Sequence, residues 1–144
     1  MDREILFRGQ TRKKGEKVRL DGSPIDSNWV YGGIFPNNKG GDFAIIYQQE
    51  PTIEKFTVYA DTVGQYTGKN DKNGTKIFEG DILVIHNNYR NPLLIEFTEF
   101  GWCCVIPNDD KYKHFRHPID NNNTKYEVIG NIHDNPELLR SEQQ

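Results

Sequence analysis

The sequence predicts a mainly β protein, built as a bent sheet or barrel with one short C-terminal helix. Runs rich in β-branched and aromatic residues recur about every ten residues along the chain. Clusters of Gly, Asn and Pro separate these runs, and no long stretch has the i, i+3, i+4, i+7 apolar spacing of an amphipathic helix. Bending or closure of a sheet also hides its edges, so many short strands joined by sharp turns favour this architecture.

The composition predicts one soluble domain. The chain has 144 residues, of which 35% are hydrophobic and 27% charged, which suffices for a core and excludes a disordered chain. Its first residues, MDREILFRGQ, contain no signal-peptide core, and no stretch approaches the roughly 20 apolar residues of a membrane helix. We therefore expect a cytoplasmic protein. A net charge of −3 gives no general attraction to nucleic acid or to anionic membranes, so only a local patch could bind them.

The first half of the chain, about residues 1–63, is predicted to form an N-terminal β lobe. Its apolar runs are aromatic or β-branched, and Pro36 and Pro51 lie between runs, where a missing backbone N–H is tolerated. Gly15 suits the turn of an N-terminal hairpin. The predicted strands of this lobe cover residues 4–10, 17–20, 29–35, 43–49 and 56–59.

The second half, about residues 64–144, is predicted to contain a three-stranded meander followed by a last strand. Pro92 and Pro107 lie at the ends of the meander strands, where proline is tolerated. Asn135, Pro136 and Glu137 have the composition of a helix start, which predicts the short C-terminal helix. The predicted strands of this half cover residues 82–85, 93–100, 102–106 and 126–132.

A glycine-rich segment, GQYTGKNDKNGTKIFEGDILV, begins at Gly64. Its Asn73-Gly74 pair predicts a type I′ hairpin turn, because both central residues of that turn require positive φ. A calcium-binding loop starting at Asp71 is excluded by its register, since glycine would be needed at Lys76 and glutamate at Ile82. We therefore interpret the segment as a turn.

Two carboxylates in the same segment, Glu79 and Asp81, could form a catalytic pair because they share one side of an extended chain. The alternative is that Gly80 makes a tight turn and Asp81 accepts backbone N–H groups, as Asp side chains commonly do in turns. We favour the second interpretation, since no base and nucleophile pair lies nearby in sequence. The structural turn motif then comprises Asn73, Gly74, Gly80 and Asp81, and no catalytic residue is predicted.

The cysteines, Cys103 and Cys104, could be combined with His114 and His117 into a zinc site. Adjacent strand residues point to opposite faces, however, and the pair lacks the spacer of ordinary zinc ligands. Buried free cysteines are also common as small apolar side chains. We therefore predict neither a metal nor a cofactor.

A cluster of basic residues on the predicted N-terminal hairpin is the main candidate for macromolecule binding. The cluster could contact phosphates or an acidic surface, or it could be a solvated hairpin tip. Four tyrosines could add base-stacking platforms, or they could be core residues and cross-strand pairs. The basic residues are Arg8, Arg12, Lys13, Lys14, Lys17 and Arg19, and the tyrosines are Tyr47, Tyr59, Tyr66 and Tyr89.

Four motifs resemble the YopX family of phage and prophage proteins. They are REILFR from residue 3, WVYG from residue 29, TVGQYTGKNDKNGTKIFEGDI from residue 62 and YEVIGNIHDNPELL from residue 126. The resemblance implies a small, mostly β, cytoplasmic protein of a phage or integrated element, with no established biochemical function and no catalytic residues to carry over. The half of the chain from Gly64 onward also resembles a small SH3-like barrel.

These observations favour a non-enzymatic accessory protein that binds a host or phage protein. The alternative is a nucleic-acid-binding β-barrel that uses the basic hairpin. A small hydrolase is the more distant alternative, since Ser23, Ser27 and Ser141 all lie in predicted loops or the tail. The loops at residues 21–28 and 108–123 match no family motif, so a specific function could reside there.

Overall fold

The computed structural model describes residues 4–13, 28–35, 41–48, 52–99, 101–106, 116–119 and 123–140. The chain divides into two compact units, residues 1–65 and 66–144. The mainly β fold class is confirmed, because the described residues form antiparallel strands and one short helix. The described strands form no closed barrel, so the bent-sheet version of the prediction is the one that fits.

The sheet of the first unit contains four antiparallel strands in the order β4-β3-β2-β1. Strand β1 also pairs, through Phe7 and Arg8, with residues 64 and 65 at the start of β5. The predicted strand at residues 17–20 and the loop at residues 21–27 lie outside the described residues. The strands are β1 (Phe7–Gln10), β2 (Trp29–Ile34), β3 (Phe43–Gln48), β4 (Glu54–Tyr59) and β5 (Gly64–Asn70).

One face of this sheet is packed around Ala44, Ile46 and Val58. Gly9 permits this packing, because a Cβ atom added there would lie only 2.7 Å from Cγ2 of Val58. Between β4 and β5, Thr62 accepts a hydrogen bond from the backbone N–H of Gln10 at 2.9 Å. The inner face of the first unit is therefore closed by small and β-branched side chains.

The second unit contains a five-stranded antiparallel sheet in the order β10-β9-β8-β7-β11. Its β7, β8 and β9 are consecutive in space as in sequence, so the predicted meander is confirmed. The hairpin of β5 and β6 belongs to the same unit from Tyr66 onward. The SH3-like description of this half stays a prediction. The elements are β6 (Lys76–Phe78), β7 (Asp81–Ile85), β8 (Leu93–Thr98), β9 (Gly101–Val105), β10 (Arg116–Pro118), β11 (Tyr126–Asn131) and α1 (Glu137–Arg140).

Both faces of the five-stranded sheet carry apolar clusters. Cys104 is part of the cluster around Leu83 and Tyr126, whereas Cys103 is part of the cluster around Ile82 and Leu139. The two cysteines therefore occupy opposite faces of β9, as strand alternation predicts. The one-turn helix α1 contributes Leu139 to the second cluster.

The turn after β5 is not the predicted type I′ turn at Asn73-Gly74. Gly74 has φ +82°, but Asn73 is not among the residues with positive φ. The backbone N–H of Gly74 donates to the carbonyl of Asp71 at 3.0 Å, which centres the turn one residue earlier. Left-handed φ values at two successive residues occur instead at His86 (+53°) and Asn87 (+59°), between β7 and β8. The glycine is needed at position 74, but for a different turn geometry.

The segment before the C-terminal helix is held by amide side chains. The side-chain oxygen of Asn135 accepts a hydrogen bond from the backbone N–H of Asn131 at 3.2 Å. The side-chain oxygen of Asn131 accepts from the N–H groups of His133 and Asp134 at 3.0 and 2.9 Å. A Cβ atom on Gly130 would lie 2.7 Å from that Asn135 oxygen, so the tight turn requires glycine. The predicted helix follows directly.

Replacing Gly74 by valine should lower the free energy of unfolding by about 1 to 3 kcal/mol, because a β-branched residue is strained at positive φ. Among the described residues, no heavy atom outside the adjacent residues lies within 4 Å of the added Cβ, so we attribute the loss to backbone strain. Gly74→Asn is the matched control, because asparagine tolerates the left-handed region. Urea denaturation should rank the proteins wild type, Gly74→Asn, Gly74→Val. Equal losses in both variants would contradict the assigned backbone conformation.

Candidate functional site

The outer face of the first unit's sheet carries exposed aromatic and apolar side chains. In β3, Phe43 and Ile45 are 51% and 39% exposed, whereas the alternating residues Ala44 and Ile46 are buried. Tyr47 follows on the outer side of the same strand, half-buried. Strand β3 therefore directs its largest side chains away from the packed core of the unit.

Strand β2 extends this surface. Tyr31 and Phe35 are 42% and 38% exposed. The ring of Tyr47 lies directly over Gly33, where an added Cβ would come within 2.5 Å of its Cζ atom. It also packs against Phe35, with ring centroids 4.8 Å apart. We call this surface the aromatic face, and its members are Tyr31, Phe35, Phe43, Ile45, Tyr47 and Tyr59.

Two lysine ammonium groups lie over rings of the aromatic face. The Nζ atom of Lys55 is 5.0 Å from the ring centroid of Phe35. The Nζ atom of Lys13 is 4.9 Å from the ring centroid of Tyr59 and 2.7 Å from Oδ2 of Asp61. Both distances are within the range of cation–π attraction.

A groove of about 350 Å³ opens at the end of the aromatic face where Phe43 pairs with Tyr59. Their ring centroids are 5.2 Å apart. Two aspartates, Asp42 and Asp61, and one lysine, Lys13, line the groove. We call it the terminal groove, and it is lined by Lys13, Gly41, Asp42, Phe43, Tyr59, Ala60 and Asp61.

The predicted basic cluster is only partly within the described residues, since Lys14, Lys17 and Arg19 lie outside them. Arg8 departs from the prediction of an exposed hairpin. Its side chain is 6% exposed, with the guanidinium carbon 4.6 Å from the ring centroid of Trp29. Arg12 is half-buried, and its carbonyl accepts a hydrogen bond from the side-chain amide of Asn28.

Asp81 forms part of a backbone turn. Its side chain is 2% exposed, and Oδ2 accepts a hydrogen bond from the backbone N–H of Phe78 at 2.7 Å. Gly80 has φ +90°, and its N–H donates to the carbonyl of Ile95 at 2.9 Å. Gly80 and Asp81 thus shape the tight turn that leads into β7.

Asp71, whose sequence context suggested only a calcium ligand, has a structural role. It is 1% exposed, and its Oδ1 atom accepts hydrogen bonds from the N–H groups of Asn73 and Thr75, both at 2.9 Å. Its Oδ2 atom accepts from the N–H of Val128 in β11 at 2.9 Å. The side chain thus ties the β5–β6 turn to the last strand of the same unit. The sequence signal was an Asp followed by Asn and Gly, which is typical of Asp-stabilised turns.

The remaining candidate side chains are distributed over separate places. Cys103 and Cys104 are both fully buried. Within the part of the chain that the structure describes, no group of three His, Cys, Asp or Glu residues could hold a metal ion. His114 lies outside that part, as does the side chain of His117. Tyr66 is buried against Phe78 in the second unit, so it cannot act as a surface platform.

Tyr89 is exposed and donates a hydrogen bond from its phenol to Oε1 of Glu127. This hydrogen bond raises the pKa of the Tyr89 phenol, and desolvation and the negative charge of Glu127 raise it further. The Nζ atom of Lys72 lies 3.5 Å from the same Glu127 oxygen and donates to Asn87 at 2.7 Å. This polar cluster links three surface segments of the second unit.

A family model described as YopX protein matches residues 26–140. The crystal structure of protein EF1440 from Enterococcus faecalis is similar, with a TM-score of 0.49 and 22% sequence identity over 96% of this chain and 99% of that chain. No curated protein matches the chain. Among the described residues, no helix is long and apolar enough to cross a membrane.

Replacing Asp71 by alanine should lower the free energy of unfolding by about 2 to 4 kcal/mol, because three backbone N–H groups lose their acceptor. Asp71→Asn is the matched control, since it keeps one oxygen acceptor at the same place and should lose less. Chemical denaturation measures both. An alanine variant as stable as wild type would show that these hydrogen bonds do not hold the turn to β11.

Alkaline titration should find that the pKa of Tyr89 falls towards the ordinary tyrosine value in a Glu127→Gln variant, because the hydrogen bond then goes to a weaker, neutral amide acceptor and the carboxylate charge is lost. The folded-state pKa is raised, so the bond stabilises the protein below the unfolded tyrosine pKa and the effect is lost as pH rises through the folded pKa. NMR of ¹³C-labelled tyrosine, with Tyr89→Phe to assign the signal, is the measurement. An unchanged pKa in Glu127→Gln would contradict the assigned cause.

Proposed function

The chain belongs to the YopX family, and we propose that it is a non-enzymatic module that binds another protein through the aromatic face of its first unit. In this proposal it acts in the bacterial cytoplasm as an accessory protein of a phage or prophage, as the family resemblance implies. The observation that carries the proposal is the set of large apolar side chains exposed on the outer side of β2 and β3.

Contiguous exposed apolar surface supports a binding role. Phe43, Ile45 and Tyr31 are exposed on neighbouring strands of one sheet. Isolated apolar residues on a surface are ordinary, but grouped aromatic ones mark places where another macromolecule docks. Aromatic side chains are enriched at the centres of protein interfaces, where they often account for much of the binding energy.

The aromatic face is also pre-organised for binding. Tyr47 packs over Gly33 and against Phe35, and Phe43 pairs across strands with Tyr59. Side chains already held by strand neighbours lose little rotamer freedom when a partner binds. Burial of the apolar area of the aromatic face can therefore contribute to affinity with little loss of side-chain conformational entropy.

Charge around the aromatic face favours a protein over a nucleic acid. Among the described residues near the aromatic face, the lysines Lys13 and Lys55 are accompanied by the aspartates Asp42 and Asp61, so these charges balance. Binding of single-stranded nucleic acid requires a positive groove beside the stacking rings. The rings themselves would suit base stacking, which keeps nucleic acid as the second candidate.

The burial of two aspartates in the glycine-rich segment disfavours a hydrolase function. Asp71 and Asp81 are both buried and accept backbone N–H groups. A general acid or base must instead reach the proton that it transfers in a substrate. The two buried aspartates of this segment therefore support turns, which leaves no exposed aspartate among its described residues for acid–base chemistry.

Serine substitutions on the aromatic face should abolish partner binding without unfolding the protein. A Phe43→Ser, Ile45→Ser double variant removes two exposed apolar side chains, and we expect at least about a tenfold loss of affinity for any protein captured from bacterial lysate by the wild type. The matched control is Phe97→Ser, another exposed phenylalanine, which pairs with Trp102 in the second unit. It should bind normally, and melting curves should show that both variants are folded.

Retention of every captured partner by the double variant would overturn the proposal. The nucleic-acid alternative is tested on the wild type with mixed single-stranded DNA and RNA. Phosphate contacts would give a steep linear fall of log affinity with log salt concentration. We expect no such binding. A steep salt-dependent affinity that the double variant lacks would assign the aromatic face to nucleic acid instead.

A further inference from the structure

We propose that the terminal groove is a pocket for one positively charged side chain, an arginine of the bound protein, and that Lys13 fills this place in the free protein. The inference rests on the proposed function and specifies the chemistry of the partner. It predicts that the bound segment of the partner is basic. A partner of the predicted basic hairpin would instead present an acidic surface or phosphate groups.

The position of Lys13 shows that the groove accepts a cation. Its Nζ atom lies over the ring of Tyr59 at 4.9 Å and forms an ion pair with Asp61 at 2.7 Å. One ammonium group thus contacts both an aromatic ring and a carboxylate, and these two groups are the elements of a cation-binding site. The groove therefore already contains the groups that can bind a cation.

The contact of Lys13 with Asp61 can be displaced. The two side chains are 43% and 68% exposed, and ion pairs at such exposure typically contribute about 0 to 1 kcal/mol. Lysine also has a flexible stem and a compact charge, so it can leave by rotation alone. The ion pair with Asp61 is therefore a weak restraint on exchange of this internal cation for one from a partner.

The groove offers more to a guanidinium group than Lys13 uses. A second acidic residue, Asp42, lines the same groove, together with Phe43 and Tyr59. A guanidinium is planar, stacks on aromatic rings and can donate to carboxylates through several N–H groups at once. Among the described residues that line the groove, two are acidic and one is basic, so their net charge is negative even while Lys13 occupies it.

The walls of the terminal groove are held by strand geometry. Phe43 and Tyr59 are directly paired residues of β3 and β4. The N–H of Ala60 donates to the carbonyl of Asp42 at 2.8 Å, which fixes the carboxylate-bearing segment beside β4. A volume of about 350 Å³ is at the lower end of the roughly 300 to 1,000 Å³ of ligand pockets, which suits a single side chain.

Charge and position connect the terminal groove to the aromatic face. The chain has a net charge of −3, so a basic partner is attracted at long range. Phe43 belongs both to the groove and to the row of outward residues along β3. A partner segment with an arginine beside apolar residues would place the arginine in the groove and the apolar residues on the aromatic face.

The test uses the ¹⁵N-labelled full chain and Nα-acetyl-arginine methylamide as the probe. Nα-acetyl-citrulline methylamide, which has nearly the same shape without the charge, is the control probe. We expect saturable NMR shifts at Gly41, Asp42 and Phe43 and at residues 59–61 with the arginine probe only.

Removal of the internal cation in Lys13→Met should tighten binding of the arginine probe by about fivefold or more, because the pocket is then vacant. Asp61→Asn should weaken it by about tenfold.

Equal shifts from the citrulline probe, or no tighter binding by Lys13→Met, would overturn the proposal. Lys13→Gln serves as a second variant, and the spectra themselves show whether each protein is folded. Tighter binding of Nα-acetyl-glutamate methylamide than of the arginine probe would overturn it in favour of an acidic partner. If the arginine probe fails while Phe43→Ser, Ile45→Ser still loses its captured partner, the pocket assignment is wrong and the aromatic-face proposal stands. If the probe binds but that variant keeps its partner, the proposed function is wrong instead.

Discussion

Strand alternation in the first unit is the constraint on which the account of this protein depends. One face of the four-stranded sheet closes tightly, because Gly9 lets β1 approach Val58 and because Ala44 and Ile46 pack into the same buried cluster. The residues that alternate with them in β3 must then point outward. These are Phe43, Ile45 and Tyr47. An aromatic face with its ends held by cross-strand pairs follows from that alternation. The surface proposed to bind a partner is therefore a consequence of how the opposite face of the sheet packs.

Four aspartates of the chain fall into two groups with different roles. Asp71 and Asp81 are buried and surrounded by backbone N–H donors, so their charge stabilises turns of the second unit. Asp42 and Asp61 line an open groove beside aromatic rings, where a cation can reach them. The buried aspartates of the glycine-rich segment are therefore structural. The terminal groove instead brings together residues from three separate parts of the sequence, at position 13, at positions 41–43 and at positions 59–61.

Local patterns predicted the regular elements but not the contacts that create the site. Runs such as FAIIYQ and the meander from Ile82 are β-branched and aromatic, so their strands were predictable. Strand β5 (GQYTGKN) and the three-residue β10 were missed, because their residues are polar and only pairing with neighbours makes them strands. The turn at Asn73-Gly74 was assigned the wrong type because backbone register, set in part by Asp71, decides it. The burial of Arg8 and the contact of Lys13 with Asp61 depend on tertiary packing across many residues.

The central claim is that partners are bound on the outer face of the first unit's sheet, and in-cell photo-crosslinking tests it most directly. A photoreactive p-benzoylphenylalanine would be placed at Ile45 in one protein and at Phe97 in another, since both side chains are exposed on strands of different units. The account predicts a discrete protein adduct from position 45 that position 97 does not give. An adduct from position 97 with none from position 45 would contradict it, as would the same adduct in equal yield from both positions.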